Sequence, residues 1–192
     1  MKSTEMEFWD CRYRTGRMPW DYHGVPEALQ TYLRTTPEGR VLIPGCGSGY
    51  EVRAFHERGW DVLAIDYSPA AVARSCEVLG ALADKVLLAD FFKHDFGGRR
   101  FDVIYERTFL CSLPPKTWPS YAQRMAELLT DNGRLIGLFL YGHEDEPPPY
   151  PLTEAEAQRL FGDKFVRIVD QPVTDSMPLF AGRERWQAWE AK

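Results

Sequence analysis

The stretch of sequence that decides the fold is Val41-Leu-Ile-Pro-Gly-Cys-Gly-Ser-Gly-Tyr50. Its first residues form an apolar run of strand type, three glycines follow at alternate positions, and an amphipathic segment begins at Glu51. Glycine accepts positive φ angles and lets a ligand approach the backbone closely. A strand, a glycine-rich turn and a helix in this order are typical of the corner of a doubly wound α/β sheet that binds a nucleoside or dinucleotide.

The spacing of these glycines narrows the class of ligand. Gly45-x-Gly47-x-Gly49 differs from the G-x-G-x-x-G pattern of the dehydrogenase fingerprint. Because no Lys-Ser or Lys-Thr pair follows the glycines, the turn also lacks the pattern of a triphosphate-binding P-loop. The sequence therefore disfavours a nicotinamide dehydrogenase and a nucleoside triphosphatase.

An acidic residue ends the next apolar segment, Asp61-Val-Leu-Ala-Ile-Asp66. At the carboxyl end of the second strand of a doubly wound sheet, Asp66 can accept hydrogen bonds from both ribose hydroxyls of a nucleoside. The alternative is that Asp66 caps the helix that follows. Since Ser68 and Pro69 already form a good cap and first-turn pair for that helix, we expect Asp66 to be free for a ligand.

Size, charge and cysteine spacing limit the class of protein. The chain has 192 residues, about one domain, and a net charge of -5 without a Lys/Arg stripe of the kind that binds nucleic acid. No apolar run approaches the ~20 residues of a transmembrane helix, and Met1–Glu7 lacks the apolar core of a signal peptide. The cysteines are scattered, so we expect no disulfide and no metal site. We expect a cytoplasmic enzyme with a small-molecule substrate, no nucleic-acid or membrane partner, and a monomeric or weakly homodimeric state.

Large aromatic residues are dense before the first strand. Trp9, Tyr13 and Trp20 lie in a polar segment, and Trp9 and Tyr13 are one helical turn apart, so they would face the same way. An N-terminal arm with such side chains can close over a ligand, exclude water and attract a cation such as a sulfonium. The alternative is that these rings only staple the arm onto the domain.

Strand and helix patterns alternate along the chain. Helices are predicted at 26–34, 51–58, 69–80, 118–129 and 154–161, and strands after the first at 61–65, 86–88, 101–105, 135–141, 165–169 and 184–190. Asp131-Asn-Gly133 predicts a turn before the strand at 135–141, and Thr153 with Glu156 predicts a capping box. The last two strands have no helix between them and are expected to be antiparallel. A mostly parallel, doubly wound α/β sheet with an antiparallel C-terminal pair suits a methyltransferase that uses S-adenosylmethionine better than a dehydrogenase.

Several stretches resemble the thiopurine methyltransferase family, including its plant-type halide and thiol methyltransferase branch. They are Trp9…Tyr13…Pro19-Trp20-Asp21, Ile43-Pro-Gly-Cys-Gly47, Ile65-Asp66-Tyr-Ser68, Asp90-Phe91-Phe92, Phe101-Asp102…Arg107-Thr-Phe-Leu and Pro148-Pro149-Tyr150. The resemblance spans nearly the whole chain. It implies a Rossmann-like class I methyltransferase domain over 1–192, with an aromatic arm at 1–36 and a core at 37–192. It also implies S-adenosylmethionine as cofactor, S-adenosylhomocysteine as product, and no metal.

The resemblance further implies which residues hold the cofactor. Trp9, Tyr13 and Trp20 would line the cofactor or substrate side. Gly45 would approach the methionine moiety, with Gly47 beside it in the same cofactor-binding turn.

The other cofactor contacts would come from strand ends. Asp66 would hold the ribose, and Asp90 with Phe91 would bracket the adenine. Taken alone, Asp90 and Phe91 equally fit a polar strand end followed by a core phenylalanine.

Two positions separate the branches of the family and bear on the acceptor. Tyr13 stands where the plant branch tends to carry Trp, and Arg107 stands where that branch tends to carry Tyr and the thiopurine branch Arg. These departures favour a thiol-type acceptor over a halide. Since a cationic neighbour lowers the pKa of a thiol, we expect Arg107, at the rim beside the methyl group, to favour the thiolate or orient an anionic acceptor. In that position Arg107 is also expected to be one of the cofactor-binding residues. The alternative for Arg107 is an ion pair with an acid such as Glu106.

Methyl transfer from a sulfonium is an in-line displacement in which the enzyme mainly positions two reactants and excludes water. We therefore expect no covalent nucleophile. Tyr141 and His143 end the next strand and can contact the acceptor or take a proton, or they can be structural or solvated. Alternative functions are methylation of halides, of selenium or tellurium oxyanions, or of oxygen or nitrogen on another small molecule. A catalytically silent nucleoside-binding module is a further alternative.

Overall fold

The computed structural model of the protein describes residues 6–192. Residues 1–5, where the predicted arm starts and on which the expected absence of a signal peptide partly rests, lie outside the described residues. Backbone packing divides the chain into two units, one that ends at Asp95 and one over Phe96–Lys192. The single domain expected over 1–192 stays a prediction.

The first unit alternates helices and strands. Its helices are α1 (Met6–Arg14), α2 (Glu27–Thr35), α3 (Tyr50–His56) and α4 (Pro69–Leu79), and its strands are β1 (Arg40–Pro44), β2 (Asp61–Asp66) and β3 (Val86–Leu88). A 3₁₀ helix over Gly80–Lys85, which the sequence did not predict, joins α4 to β3. The predicted elements of this unit otherwise end within about two residues of the observed ones, the usual uncertainty of a helix end.

The second unit carries four strands and two helices. They are β4 (Phe101–Arg107), α5 (Trp118–Leu128), β5 (Leu129–Leu140), α6 (Glu154–Phe161), β6 (Phe165–Pro172) and β7 (Glu184–Ala191). Short 3₁₀ helices lie at Leu110–Ser112, Pro115–Thr117 and Pro178–Phe180. Strand β4 is two residues longer than predicted, so Glu106 and Arg107 belong to the strand itself.

The seven strands form one sheet in the order β3-β2-β1-β4-β5-β7-β6. The pairs β1–β2, β2–β3 and β4–β5 are parallel, and β7 runs antiparallel to both β5 and β6. This arrangement confirms the predicted α/β class, with a doubly wound, mostly parallel sheet and antiparallel pairing at its C-terminal end.

The register of β1 and β2 brings two predicted ligand segments together. Pro44 is paired with Ile65, so the glycine-rich turn leaves β1 beside the position where Asp66 ends β2. The side chains of Val41–Ile43 are buried without alternation, as expected for a parallel strand covered on both faces. The apolar run thus determines the position of β1. The pairing of β1 with β2 then places the glycine-rich turn beside Asp66.

The prediction of a turn at Asp131–Gly133 is wrong, because these residues lie within β5. Opposite Phe101–Val103 of β4, the β5 chain advances from Leu129 to Arg134, so the additional residues form a bulge. Asn132 has a φ angle of 62°, in the left-handed region that asparagine tolerates better than most residues. Residues that are typical of a turn therefore form a β-bulge here.

Two helices begin with the predicted caps. At α4, Ser68 Oγ accepts a hydrogen bond from Ala71 N at 3.1 Å. At α6, Thr153 Oγ1 accepts from Glu156 N, and the Glu156 carboxylate accepts from Thr153 N, which is a capping box. Over residues 6–192, every helix is too short or too polar to cross a membrane.

Candidate active site

The glycine-rich turn after β1 has the backbone conformation that its sequence predicts. Gly45, Gly47 and Gly49 have φ angles of 59°, 53° and 77°. The N–H of Cys46 donates to Ile65 O at 3.2 Å and holds the turn against β2. A side chain at Gly47 would also collide with the Tyr13 hydroxyl. Glycine is therefore needed at this position for both conformation and space.

Asp66 is a buried carboxylate clamped between two loops. Its Oδ2 accepts from Gly47 N at 3.0 Å, and its Oδ1 accepts from Ser68 N at 2.9 Å. Burial raises the pKa of Asp66, and hydrogen bonds from the backbone N–H groups of Ser68, Gly47 and Tyr67 act against that rise. Ser68 Oγ caps α4 as expected. The carboxylate of Asp66 is also engaged by backbone N–H groups, which the sequence did not predict, and its availability for a ligand stays a prediction.

The clamped carboxylate keeps room for a ligand. An ionised carboxylate offers about four lone-pair positions. The N–H groups of Gly47 and Ser68 donate to Asp66, and the N–H of Tyr67 is a further backbone donor. The acceptor capacity that remains suits a hydroxyl group of the kind that a ribose presents. This geometry fits the cofactor that the sequence implies.

The three aromatic residues of the arm lie together and reach the glycine-rich turn. The Trp9 and Trp20 ring centroids are 5.2 Å apart at 82°, and those of Tyr13 and Trp20 are 6.1 Å apart at 71°. Such edge-to-face pairs are favourable between aromatic rings. Burial raises the pKa of the Tyr13 phenol, and the negative charge of Asp66 adds to the rise. Tyr13 is therefore neutral and packs directly against the turn at Gly47.

Asp10, which the sequence reasoning missed, attaches the arm to α4. This buried carboxylate accepts from Ser68 Oγ at 2.9 Å and from Ala70 N at 2.8 Å, both through Oδ1. Its Oδ2 lies 3.2 Å from Arg14 Nε. The only signal in the sequence is an acid amid aromatic residues on a helix, one turn before an arginine. Its partners lie about 60 positions away, beyond the reach of any local pattern.

Asp90 and Phe91 follow β3 and have structural partners. Asp90 Oδ1 accepts from Phe92 N at 2.9 Å, and Asp90 Oδ2 lies 2.9 Å from Lys93 Nζ. Phe91 is buried, and its ring meets the Phe92 ring edge-on at 5.3 Å. The backbone of this segment is tied to β2, since Ala89 N donates to Asp66 O at 2.9 Å. These contacts fit the structural alternative, and an adenine-binding role stays a prediction.

The predicted acceptor-side residues lie in the second unit. Arg107 ends β4 and is half-buried. The Tyr141 hydroxyl is hydrogen-bonded to the buried Gln187 side chain at 3.0 and 3.2 Å, and burial raises the pKa of Tyr141. A phenol with a raised pKa keeps its proton at neutral pH, which disfavours Tyr141 as a base. His143 is exposed, with its Nε2 3.0 Å from Asp145 Oδ1.

Glu106, next to Arg107, organises the segment that follows β4. Its Oε1 accepts from Phe109 N and Leu110 N, both at 2.9 Å, and its Oε2 accepts from the Tyr121 hydroxyl at 2.7 Å. Burial raises the pKa of Glu106 to about 7. The sequence reasoning named Glu106 only as a partner for Arg107. Its structural role follows from the longer β4, which carries this carboxylate into the core.

Comparison with known proteins identifies relatives over nearly the whole chain. A family model described as thiopurine S-methyltransferase matches residues 4–192. A probable thiol methyltransferase 2 of Arabidopsis thaliana is 35% identical over 173 residues, which cover 84% of this chain and 76% of that protein. A thiocyanate methyltransferase 1 of the same plant is 31% identical over an alignment of 201 positions, which covers 98% of this chain and 86% of that protein.

Solved structures of lower identity share the fold. The 1,6-didemethyltoxoflavin-N1-methyltransferase of Burkholderia thailandensis, with bound 1,6-didemethyltoxoflavin and S-adenosylhomocysteine, superposes with a TM-score of 0.76 at 21% identity, over 97% of this chain and 87% of that chain. The magnesium protoporphyrin IX methyltransferase of Synechocystis superposes with a TM-score of 0.72 at 16% identity, over 98% of both chains. The family match and the relatives above 30% identity confirm the resemblance found in the sequence: the chain belongs to the thiopurine S-methyltransferase family.

Proposed function

We propose that the protein transfers a methyl group from S-adenosylmethionine to the sulfur of a small thiol or thiolate. As a member of its family, the chain is an S-adenosylmethionine-dependent methyltransferase of the thiol type. The observation that carries the proposal is the buried Asp66 carboxylate, held by the N–H groups of Gly47 and Ser68 next to Tyr13. It is a rigid acceptor for a ribose, placed where the aromatic arm meets the glycine-rich turn.

The first unit would bind the cofactor through three features. The remaining acceptor positions of Asp66 would take the ribose hydroxyls. The turn at Gly45 and Gly47 would lie against the methionine moiety, since glycine leaves the backbone accessible. Asp90 and Phe91 would lie on the adenine side, in addition to their structural contacts.

Bound S-adenosylmethionine supplies an electrophilic methyl group on a positively charged sulfonium. The rings of Trp9, Tyr13 and Trp20 would attract that charge and keep water away from the reacting atoms. Orientation of two reactants alone can lower the barrier by up to ~7–11 kcal/mol. The chain therefore needs no covalent nucleophile for this reaction.

We assign Arg107 to the acceptor. A guanidinium beside a thiol stabilises the thiolate, the nucleophilic form, and the thiol proton leaves to solvent. Arg107→Ala should lower turnover with thiols about tenfold or more, while the Kd for S-adenosylhomocysteine changes little. The rate should recover as the pH approaches the pKa of the free thiol, because the thiolate then forms unaided. Turnover equal to wild type at every pH would contradict this assignment.

A panel of acceptors tests the reaction itself. We expect labelled methyl from S-adenosylmethionine to reach aromatic and aliphatic thiols faster than iodide, selenium or tellurium oxyanions, or oxygen and nitrogen acceptors. Thiocyanate belongs in the panel as the second candidate, because a relative at 31% identity carries that name. Transfer to oxygen or nitrogen alone would contradict the thiol assignment, and nucleoside binding without transfer to any acceptor would indicate a silent module.

The proposal also covers metal dependence, oligomeric state and cellular location. Within residues 6–192, no group of three or more His, Cys, Asp or Glu side chains is placed to hold a metal ion. We propose metal-independent transfer, for which unchanged activity in EDTA is the expected result. The monomeric or weakly dimeric state and the cytoplasmic location stay predictions.

A further inference from the structure

Two aspartates of the arm accept hydrogen bonds from the rest of the first unit. The first is Asp10 on α1, which accepts from Ser68 Oγ and Ala70 N. The second is Asp21, whose Oδ2 accepts from Ser48 Oγ at 2.7 Å, while its Oδ1 accepts from His23 N at 2.9 Å. Asp10, Asp21 and Ser48 are all buried at these contacts, although the arm around them is rich in polar residues.

Both points of attachment lie on the loops that would hold the cofactor. Ser48 belongs to the glycine-rich turn, between Gly47 and Gly49. Ser68 donates its N–H to Asp66, and Asp66 in turn accepts from Gly47 N. One chain of hydrogen bonds therefore runs from Asp10 through Ser68 and Asp66 to Gly47.

The three aromatic residues lie close to these two aspartates in the sequence. Trp9 precedes Asp10, Tyr13 follows it by one helical turn, and Trp20 precedes Asp21. The hydroxyl of Tyr13 packs against Gly47, the last residue of this chain of hydrogen bonds. The arm therefore contacts both ends of the chain. An arm that detached from Ser68 would move these rings and remove a partner from the residue that orients Asp66.

We infer that Asp10 is a positioning residue for the cofactor, which holds the aromatic arm closed by accepting hydrogen bonds from the loop that orients Asp66. This inference rests on the proposed function, since it assigns the arm to the same ligand. We assign the role to Oδ1 of Asp10, which accepts both hydrogen bonds, rather than to the charge. The ion pair of Oδ2 with Arg14 involves an exposed guanidinium and contributes little. Asparagine presents the same oxygen at the same distance from the backbone.

The test compares three variants by calorimetric titration with S-adenosylhomocysteine and by limited trypsin cleavage of the arm. Trypsin can cut after Arg12, Arg14 and Arg17, and intact-mass measurement identifies the product. Asp10→Ala should raise the Kd about tenfold and speed cleavage of the arm, since it loses two buried hydrogen bonds. Asp10→Asn should stay near wild type in both. Glu7→Ala is the matched control, because it removes an exposed acid that also pairs with Arg14 and leaves Ser68 and Ala70 untouched; it should change neither the Kd nor the cleavage after Arg12 and Arg17.

Each outcome decides the inference. A Kd for Asp10→Ala within about twofold of wild type, with unchanged cleavage, would overturn it even if the melting temperature fell. Weak binding by Asp10→Asn equal to that of Asp10→Ala would also overturn it, because the acceptor oxygen would then be irrelevant. If Asp10→Ala does not fold, Asp10→Glu replaces it: the longer side chain keeps the charge and misplaces the oxygen, so it should bind weakly.

The failure of the proposed function is a separate result. A wild-type protein that does not bind S-adenosylhomocysteine would contradict the function. The cleavage assay needs no ligand, so unchanged arm cleavage in Asp10→Ala would contradict the attachment through Asp10 in either case.

Discussion

Asp66 and Glu106 are both buried acids near strand ends, and burial raises the pKa of each. Each accepts hydrogen bonds from backbone N–H groups of neighbouring loops. Asp66 accepts from Gly47 in the turn after β1 and from Ser68, which follows it. Glu106 accepts from Phe109 and Leu110, which follow it. A buried carboxylate that accepts such hydrogen bonds holds the backbone of the adjacent loop in one conformation. The two acids differ in consequence, because Asp66 keeps acceptor positions for a ligand and Glu106 gives one to Tyr121.

The raised pKa of Glu106 makes stability depend on pH. Its ordinary pKa is 4.5, and burial in the folded state raises it to about 7. Between these values the folded protein keeps a proton that the unfolded chain has released. This contribution is therefore present in full below about pH 4.5 and is lost as the pH rises to about 7, a change of at most about 3 kcal/mol.

Glu106→Gln tests this effect, because glutamine keeps the shape and cannot titrate. Urea unfolding of both proteins between pH 4.5 and 8 gives the free energy of unfolding at each pH. We expect the stability of wild type, relative to the variant, to fall as the pH rises through this range. A difference that stays constant with pH would show that Glu106 does not titrate there.

Gly47→Ala should disturb the arm. The added methyl group would meet the Tyr13 hydroxyl, and the φ angle of 53° is strained for any residue with a side chain. Gly97→Ala is the matched control, since Gly97 has a φ angle of 61° with open space around it. Both variants should lose about 1–2 kcal/mol of stability. Only Gly47→Ala should also weaken S-adenosylhomocysteine binding, and equal binding by the two would argue against contact between Tyr13 and the turn.

At the scale of elements, the helix caps are the features that local sequence predicts best. Thr153 and Glu156 satisfy each other's backbone N–H groups at the start of α6. Thr153→Ala should cost about 1 kcal/mol of stability, read from thermal or urea unfolding. Thr35→Ala is the control, because the Thr35 hydroxyl bonds only to carbonyls of its own helix and should cost less than about 0.5 kcal/mol. Equal losses in the two variants would contradict the capping role.

Elements whose boundaries depend on a partner strand were harder to predict. The Asp131–Gly133 segment has the composition of a turn, yet pairing with β4 turns it into a bulge. The same pairing extends β4 to Arg107 and carries Glu106 into the core, where Gly137 of β5 faces it. A side chain at Gly137 would overlap the Glu106 carbonyl oxygen, a requirement that no local pattern reveals.

For the whole molecule, the fold class and the family were both predicted from the sequence, whereas the strand order was not. The apolar run of β1 followed by Gly45, Gly47 and Gly49 defines the ligand corner, and Asp66 ends the neighbouring strand as expected. The hydrogen bonds that link the aromatic arm, Asp66 and the glycine-rich turn were not predictable from the sequence. The hydrogen bonds of Asp10 with Ser68 and Ala70, and that of Asp66 with Gly47, join residues 19 to 60 positions apart. They exist only once the arm and the sheet are folded.

Calorimetric titration of the wild type and Asp66→Ala with S-adenosylhomocysteine is the first test of the ribose-binding role of Asp66. Asp84→Ala, which removes an exposed acid of the same unit, is the control for loss of charge. We predict micromolar binding by the wild type and by Asp84→Ala, and loss of that binding in Asp66→Ala. Absence of binding to the wild type, or undiminished binding to a folded Asp66→Ala protein, would contradict the claim that the clamped Asp66 carboxylate holds the ribose of the cofactor.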